Sequence, residues 1–168
     1  MSRLIFVFLF IFLSSLNGYE SEDKLKVIII GKVANYIKWK EKDNKQFIIT
    51  VLNYPNENLF NDLLNGKKIK KKDILIKYID NIDQLSDTDI LYIPVSQASK
   101  LTNILKNTDG KNILTVSGIR GFAEKGGIVQ VYFVSQKVKL KVNLDVAKRE
   151  SLKISSSLLR IAKIVKGN

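Results

Sequence analysis

The sequence predicts one three-layer α/β domain: a mixed, mostly parallel sheet with helices on both faces and an antiparallel hairpin at one edge. Three observations lead there. Apolar, β-branched runs recur at 47–52, 90–95 and 113–116, the profile of strands buried on both faces. Segments with helical apolar spacing separate them, and strands alternating with helices read as parallel crossover units. Two alternating runs, 128–134 and 138–142, are joined by Ser135-Gln136-Lys137, as in an antiparallel hairpin.

The chain opens with Arg3 and an unbroken apolar run from Leu4 to Leu13, the profile of a signal peptide. Ten helical residues span about 15 Å, half of a hydrocarbon core of roughly 30 Å, so export is favoured over a membrane span. Residues 1–18 are therefore expected to be a signal peptide and 19–168 a single exported domain. Leu16 departs from the small-residue cleavage pattern ahead of Gly18, which leaves uncleaved anchoring as the alternative.

Glu20 to Lys40 has two readings. Val27-Ile28-Ile29-Ile30 resembles a strand, yet Leu25, Ile29, Val33, Tyr36 and Ile37 recur at helical spacing. Length favours a helix, capped by Ser21 ahead of Glu22 and Asp23, with Tyr36 and Trp39 on one face. Gln46 to Asn53 is expected to be a central strand. Tyr54-Pro55 then turns into a helix capped by Asn56, with Leu59, Phe60, Leu63 and Leu64 inward and Gly66 at its end.

Asp73 to Ile79 alternates as a strand, and 80–88 is polar loop. Asp89 to Val95 is a third apolar strand with Pro94 at its end, after which Ser96 caps a helix carrying Leu101, Ile104 and Leu105. Asn112 to Val116 is a short strand, followed by tight turns at Gly118, Gly121, Gly126 and Gly127. Asp145 to Glu150 and Ser155 to Val165 read as helices, the second with a stripe of Leu158, Leu159, Ile161, Ala162 and Val165.

Composition removes whole classes of chemistry. The 168 residues include no Cys and no His, which takes away thiol nucleophiles, disulfides, imidazole bases and most transition-metal sites. No catalytic residue, metal or cofactor is expected. The glycine-rich passage lacks both the G-x-G-x-x-G spacing and the phosphate-loop pattern, and its one acid, Glu124, lacks the partner that acid–base hydrolysis needs. That passage is a structural turn or the wall of a small-ligand pocket. Ser155-Ser156-Ser157, without a base, are capping residues.

The net charge is +12, and loss of Arg3 with the leader leaves +11. A basic surface suits anionic lipid, acidic envelope polymers or an acidic partner protein, and export argues against nucleic acid. The run Lys67-Lys68-Ile69-Lys70-Lys71-Lys72 is either a solvated loop or part of such a contact. Trp39, the only tryptophan, is an interface residue or a core residue.

Several segments together resemble the YfiR family of exported bacterial proteins, which repress membrane-bound diguanylate cyclases from the periplasm. They are the opening segment Lys26 to Trp39 with its Tyr36 and Trp39 pair, the strand 89–93, and Ile113 to Ile119 followed by Gly121 to Ile128. Val142-Asn143-Leu144 and the closing Ile154 to Ala162 complete the pattern, which spans Lys24 to Val165. Trp39-Lys40 departs from the Trp-Pro often found there, and the cysteines of some members are missing, which puts redox control out of reach.

The resemblance implies a mixed α/β fold, a homodimer, and a non-enzymatic regulator of cyclic di-GMP signalling and biofilm formation. Its partner would be the sensory region of a membrane diguanylate cyclase. By this analogy Phe122, Glu124, Gly126, Gly127 and Asn143 are candidates for a shared pocket or contact surface, and Tyr36 and Trp39, placed like the family's aromatic pair, are candidates for partner or ligand binding. The second reading is a periplasmic sensor that binds a small molecule near Gly118 to Gly127 without a cyclase partner.

Overall fold

The computed structural model describes residues 22–40, 44–56 and 58–166. The expected leader and the Ser21 cap lie outside them. The first element, α1 (residues 22–34), settles the ambiguous opening run in favour of a helix: Val27, Ile30, Val33 and Ala34 recur at helical spacing and are buried. It ends sooner than its apolar spacing suggested. Tyr36 lies in the turn that follows, its N–H donating to the Val33 carbonyl, and the strand β1 (Ile37–Lys38) pairs antiparallel with β9 (Lys153–Ile154). Tyr36 and Trp39 therefore do not share a helical face. Pairing explains the break, since β9 and the Ser155 N–H, which donates to the Tyr36 carbonyl, occupy backbone groups that a longer helix would need.

The main sheet has eight strands in the order β10-β8-β7-β6-β5-β2-β4-β3. β2 (Gln46–Leu52) lies inside it, parallel to β4 (Lys72–Ile79) on one side and to β5 (Ile90–Ile93) on the other. β6 (Leu114–Ser117) and β7 (Val129–Val134) continue the parallel order beyond β5. β8 (Lys137–Asn143) then pairs antiparallel with β7 through a two-residue turn in which Ser135 and Gln136 both have positive φ, as a tight hairpin requires.

Alternation along β5 divides the core. Ile90 and Tyr92 face α1, α2 (Asn58–Leu64) and α5 (Ser156–Ile161), whereas Leu91 and Ile93 face α3 (Leu101–Lys106). This is the expected three-layer arrangement. α4 (Leu144–Arg149) follows directly from β8.

Three local expectations change. Ser96 does not cap α3: a 3-10 turn, Val95–Lys100, precedes that helix, with Pro94 at its cap position and no side-chain cap bond. The stripe after Ser155 is not one helix. Ser155 does cap α5, but the chain turns extended at Ala162, and β10 (Lys163–Val165) joins the sheet parallel to β8, outside the hairpin. The lysine run is not loop either. β3 (Lys68–Ile69) and β4 form a hairpin whose turn residues Lys70 and Lys71 have φ of 53° and 66°, and buried Ile69 fixes it to the core.

Candidate functional site

The glycine-rich passage after β6 is closed by its own side chains. Phe122 is fully buried among Leu91, Ile93, Ile104 and Ile119. The passage folds over it, with the Gly127 N–H donating to the Phe122 carbonyl at 2.9 Å. A Cβ on Gly127 would lie 2.2 Å from the Phe122 ring, so the absence of a side chain there is a packing requirement. Asn143 is fully buried as well. Its Oδ1 accepts from the Val146 N–H and so caps α4, while its Nδ2 donates to the Ala123 carbonyl. Phe122, Gly127 and Asn143 thus come together, and they hold the passage onto the sheet.

Glu124 sits on the rim of this assembly and is paired with Lys141, whose ammonium also lies over the Tyr132 ring. The hydrogen bond from Lys141 holds the Glu124 carboxyl below the ordinary carboxylate range. Because the folded value lies below the unfolded one, the pair's contribution is full above the unfolded value and is lost as pH falls through the folded one. Glu124→Gln is expected to flatten the acid side of a stability–pH curve by less than about 1 kcal/mol, since the pair is partly solvated. Chemical unfolding from neutral to acid pH measures this; an unchanged acid limb would refute it.

Gly126 opens onto a cleft of about 390 Å³ between α3, α4 and the passage, with Lys106, Lys125 and Arg149 around Thr115. The back of this cleft is set by Glu150, only 4% exposed, whose two carboxylate oxygens accept from the N–H groups of Gly110 and Asn112. The Asn112 side chain donates in return to the Glu150 carbonyl. Nothing in the local sequence pattern marked Glu150, an acid at the end of a short helix.

Tyr36 and Trp39 lie elsewhere, at the amino ends of the central strands. Tyr36 is 46% exposed and borders a shallow hollow beside Lys153 and Ser155. Trp39 packs edge-to-face on Phe47 with ring centroids 5.1 Å apart, and its indole N–H donates to the Asp89 carbonyl at 3.2 Å. Together the rings floor a second cleft of about 400 Å³, bordered by Lys38, Lys40, Lys70 and Lys72. Asp89 stitches three strands there: its N–H donates to Ile48, its carboxylate accepts the Ile48 N–H, and its carbonyl accepts from Leu114. Sequence reading placed Asp89 only as the start of a strand.

Among the described residues, no cluster of acidic side chains could hold a metal ion, and no helix is long and apolar enough to cross a membrane. No curated protein matches the chain. Among solved structures, a conserved domain protein from Vibrio cholerae O1 biovar eltor is similar with a TM-score of 0.61 at 12% identity, covering 85% of this chain and 60% of that one. The ABC domain from Streptococcus pneumonia in complex with L-Trp is similar with a TM-score of 0.58 at 11% identity, over 84% of this chain and 60% of that one. The ligand-free, open structure of a Clostridium difficile substrate binding protein with adhesive properties gives 0.52 at 18% identity, over 74% and 56%. The chain thus spans about 60% of the length of the solved structures it matches, and these likenesses show the fold. The profile of the YfiR/HmsC-like family matches residues 23–163. The chain therefore belongs to the YfiR/HmsC-like family, at family level a non-catalytic group of periplasmic regulators of cyclic di-GMP signalling.

Proposed function

We propose that the protein is an exported regulator that binds the sensory region of a membrane-bound diguanylate cyclase outside the cytoplasm and holds it inactive. The family match across residues 23–163 carries this reading. Several features support it. The chain has neither His nor Cys, and the single acid of the glycine-rich passage is engaged by Lys141. The apolar leader at 4–13 suits export of one domain, 19–168. Repression needs no chemistry, only tighter binding to the inactive receptor: a tenfold preference corresponds to about 1.4 kcal/mol. A homodimer would present the same contact surface twice.

The test is genetic and biochemical. Deleting the gene is expected to raise cellular cyclic di-GMP, re-expression to lower it, and the tagged protein to co-purify with a membrane cyclase. Unchanged cyclic di-GMP in both strains would sink the reading.

The cleft beside Gly126 favours a second reading, a sensor of a small molecule. A volume of about 390 Å³ is that of a small-ligand site, and one structural neighbour holds L-Trp. A thermal-shift screen of amino acids and other metabolites separates the readings, since a ligand at one hundred times its Kd stabilises by about 2.7 kcal/mol.

A further inference from the structure

We infer that the cleft floored by Trp39 and Phe47 and bordered by the lysine hairpin is a docking site for an acidic peptide segment carrying one apolar or aromatic anchor side chain. The inference rests on the reading that the protein acts by binding a protein partner, and it names the chemistry of the contact. Lys38 and Lys40 flank Trp39 in sequence, and the β3–β4 hairpin brings Lys70 and Lys72 to the same opening. Four ammonium groups thus border one apolar recess. The single carboxylate lining it, that of Asp89, is buried and turned inward to the Ile48 N–H at 2.8 Å. Among the described lining residues the field at the opening is therefore positive.

The recess is preorganised. Trp39 is held by the Asp89 carbonyl and by the edge of Phe47, and Lys70 reaches the Asn35 carbonyl at 2.9 Å, which ties the hairpin turn to the segment carrying Lys38 and Lys40. Interface energy concentrates on buried aromatic anchors, while charges at the rim steer the partner in and fix its register.

Shape and position select the occupant. A lipid surface is flat and would use the lysines without the recess, whereas a volume of about 400 Å³ accepts one large side chain and its neighbouring backbone. Lysines on two separate segments of the chain pair more naturally with carboxylates spaced along a peptide than with one compact phosphate. The cleft also lies at the amino ends of β2, β4 and β5, opposite the carboxyl ends where open α/β sheets receive small ligands.

Trp39 is the only tryptophan, so its emission reports directly on the cleft. The purified protein is titrated with a short peptide of glutamates around a central phenylalanine, with a lysine version of the same peptide, inorganic phosphate and phosphatidylglycerol vesicles as comparators. Saturable change with the acidic peptide alone is expected, weakening with salt, and weakened about tenfold or more in Lys38→Glu/Lys40→Glu at unchanged thermal midpoint. Trp39→Ala, followed by anisotropy of the labelled peptide, should lose binding to a similar degree. No saturation, equal binding by the charge-reversed protein, or preference for vesicles or phosphate would each overturn the inference. Cyclic di-GMP levels in cells expressing the unmodified protein test the regulatory reading separately, so a failed peptide titration with intact repression removes the docking site and leaves the regulator.

Discussion

Gly127→Ala is expected to destabilise the domain by about 3 kcal/mol, as overpacking of a closed core does. The new methyl would stand 2.2 Å from Cε1 and 2.3 Å from Cζ of Phe122, and that ring is fully buried, packed with Leu91, Ile93 and Ile104. Gly126 provides the internal contrast. It has a φ of 99° but nothing nearer than 3.7 Å to an added Cβ, so alanine there meets backbone strain alone, about 1–2 kcal/mol. Phe122→Ala removes the same ring at a cost of about 3–5 kcal/mol. The decisive measurement is a double-mutant cycle by urea unfolding: in a Phe122→Leu background, Gly127→Ala should cost much less than in the native protein. Additive losses would show that the ring and the glycine do not share one space.

Glu150→Ala is expected to cost about 3 kcal/mol, for a different reason. Both carboxylate oxygens accept backbone N–H groups, from Gly110 at 2.9 Å and Asn112 at 3.1 Å, and the side chain is almost wholly buried. Truncation removes two charge-assisted hydrogen bonds, each worth about 1.5–3 kcal/mol and here at the low end because the donors lie at the edge of the cleft. Gly110 and Asn112 both sit at positive φ, 72° and 58°, so the carboxylate also holds a turn that costs backbone strain at Asn112. Glu150→Gln keeps one oxygen acceptor and should lose roughly half as much. Hydrogen exchange at the amides of Gly110 and Asn112 reports the local effect; protection unchanged in Glu150→Ala would refute the clamp.

Much of the architecture could be read from periodicity because the deciding interactions were local. Phe47 to Leu52, the turn at Ser135-Gln136 and the cap at Ser155 each follow from a few neighbouring residues. Two of the differences share one cause. Ile161, Ala162 and Val165 kept helical spacing with Leu158, yet β10 gains a ladder with β8 that no window of sequence contains. Likewise Tyr36 and Trp39 looked like one helical face because nothing near them announced that Ile37 would pair with Ile154. The seven candidate site residues fall into two groups, five around the glycine-rich passage and two at the far end of the strands. Glu150 and Asp89 escaped notice because their importance lies in which backbone amides they meet, contacts 38 to 41 residues distant in sequence. The lysine run was conspicuous by composition, but only the hairpin turn at Lys70 and Lys71 reveals that it faces Trp39.

The two-residue ribbon of β1 and β9 ties the exit of the first helix to a stretch near the other end of the chain. That tie can form only when residues 37–38 and 153–154 meet across all the chain between them. Closing so long a loop carries an entropic cost that neighbouring pairings do not, so the ribbon is expected to form late in folding, after the first helix has packed on the sheet through Val27, Ile30 and Val33.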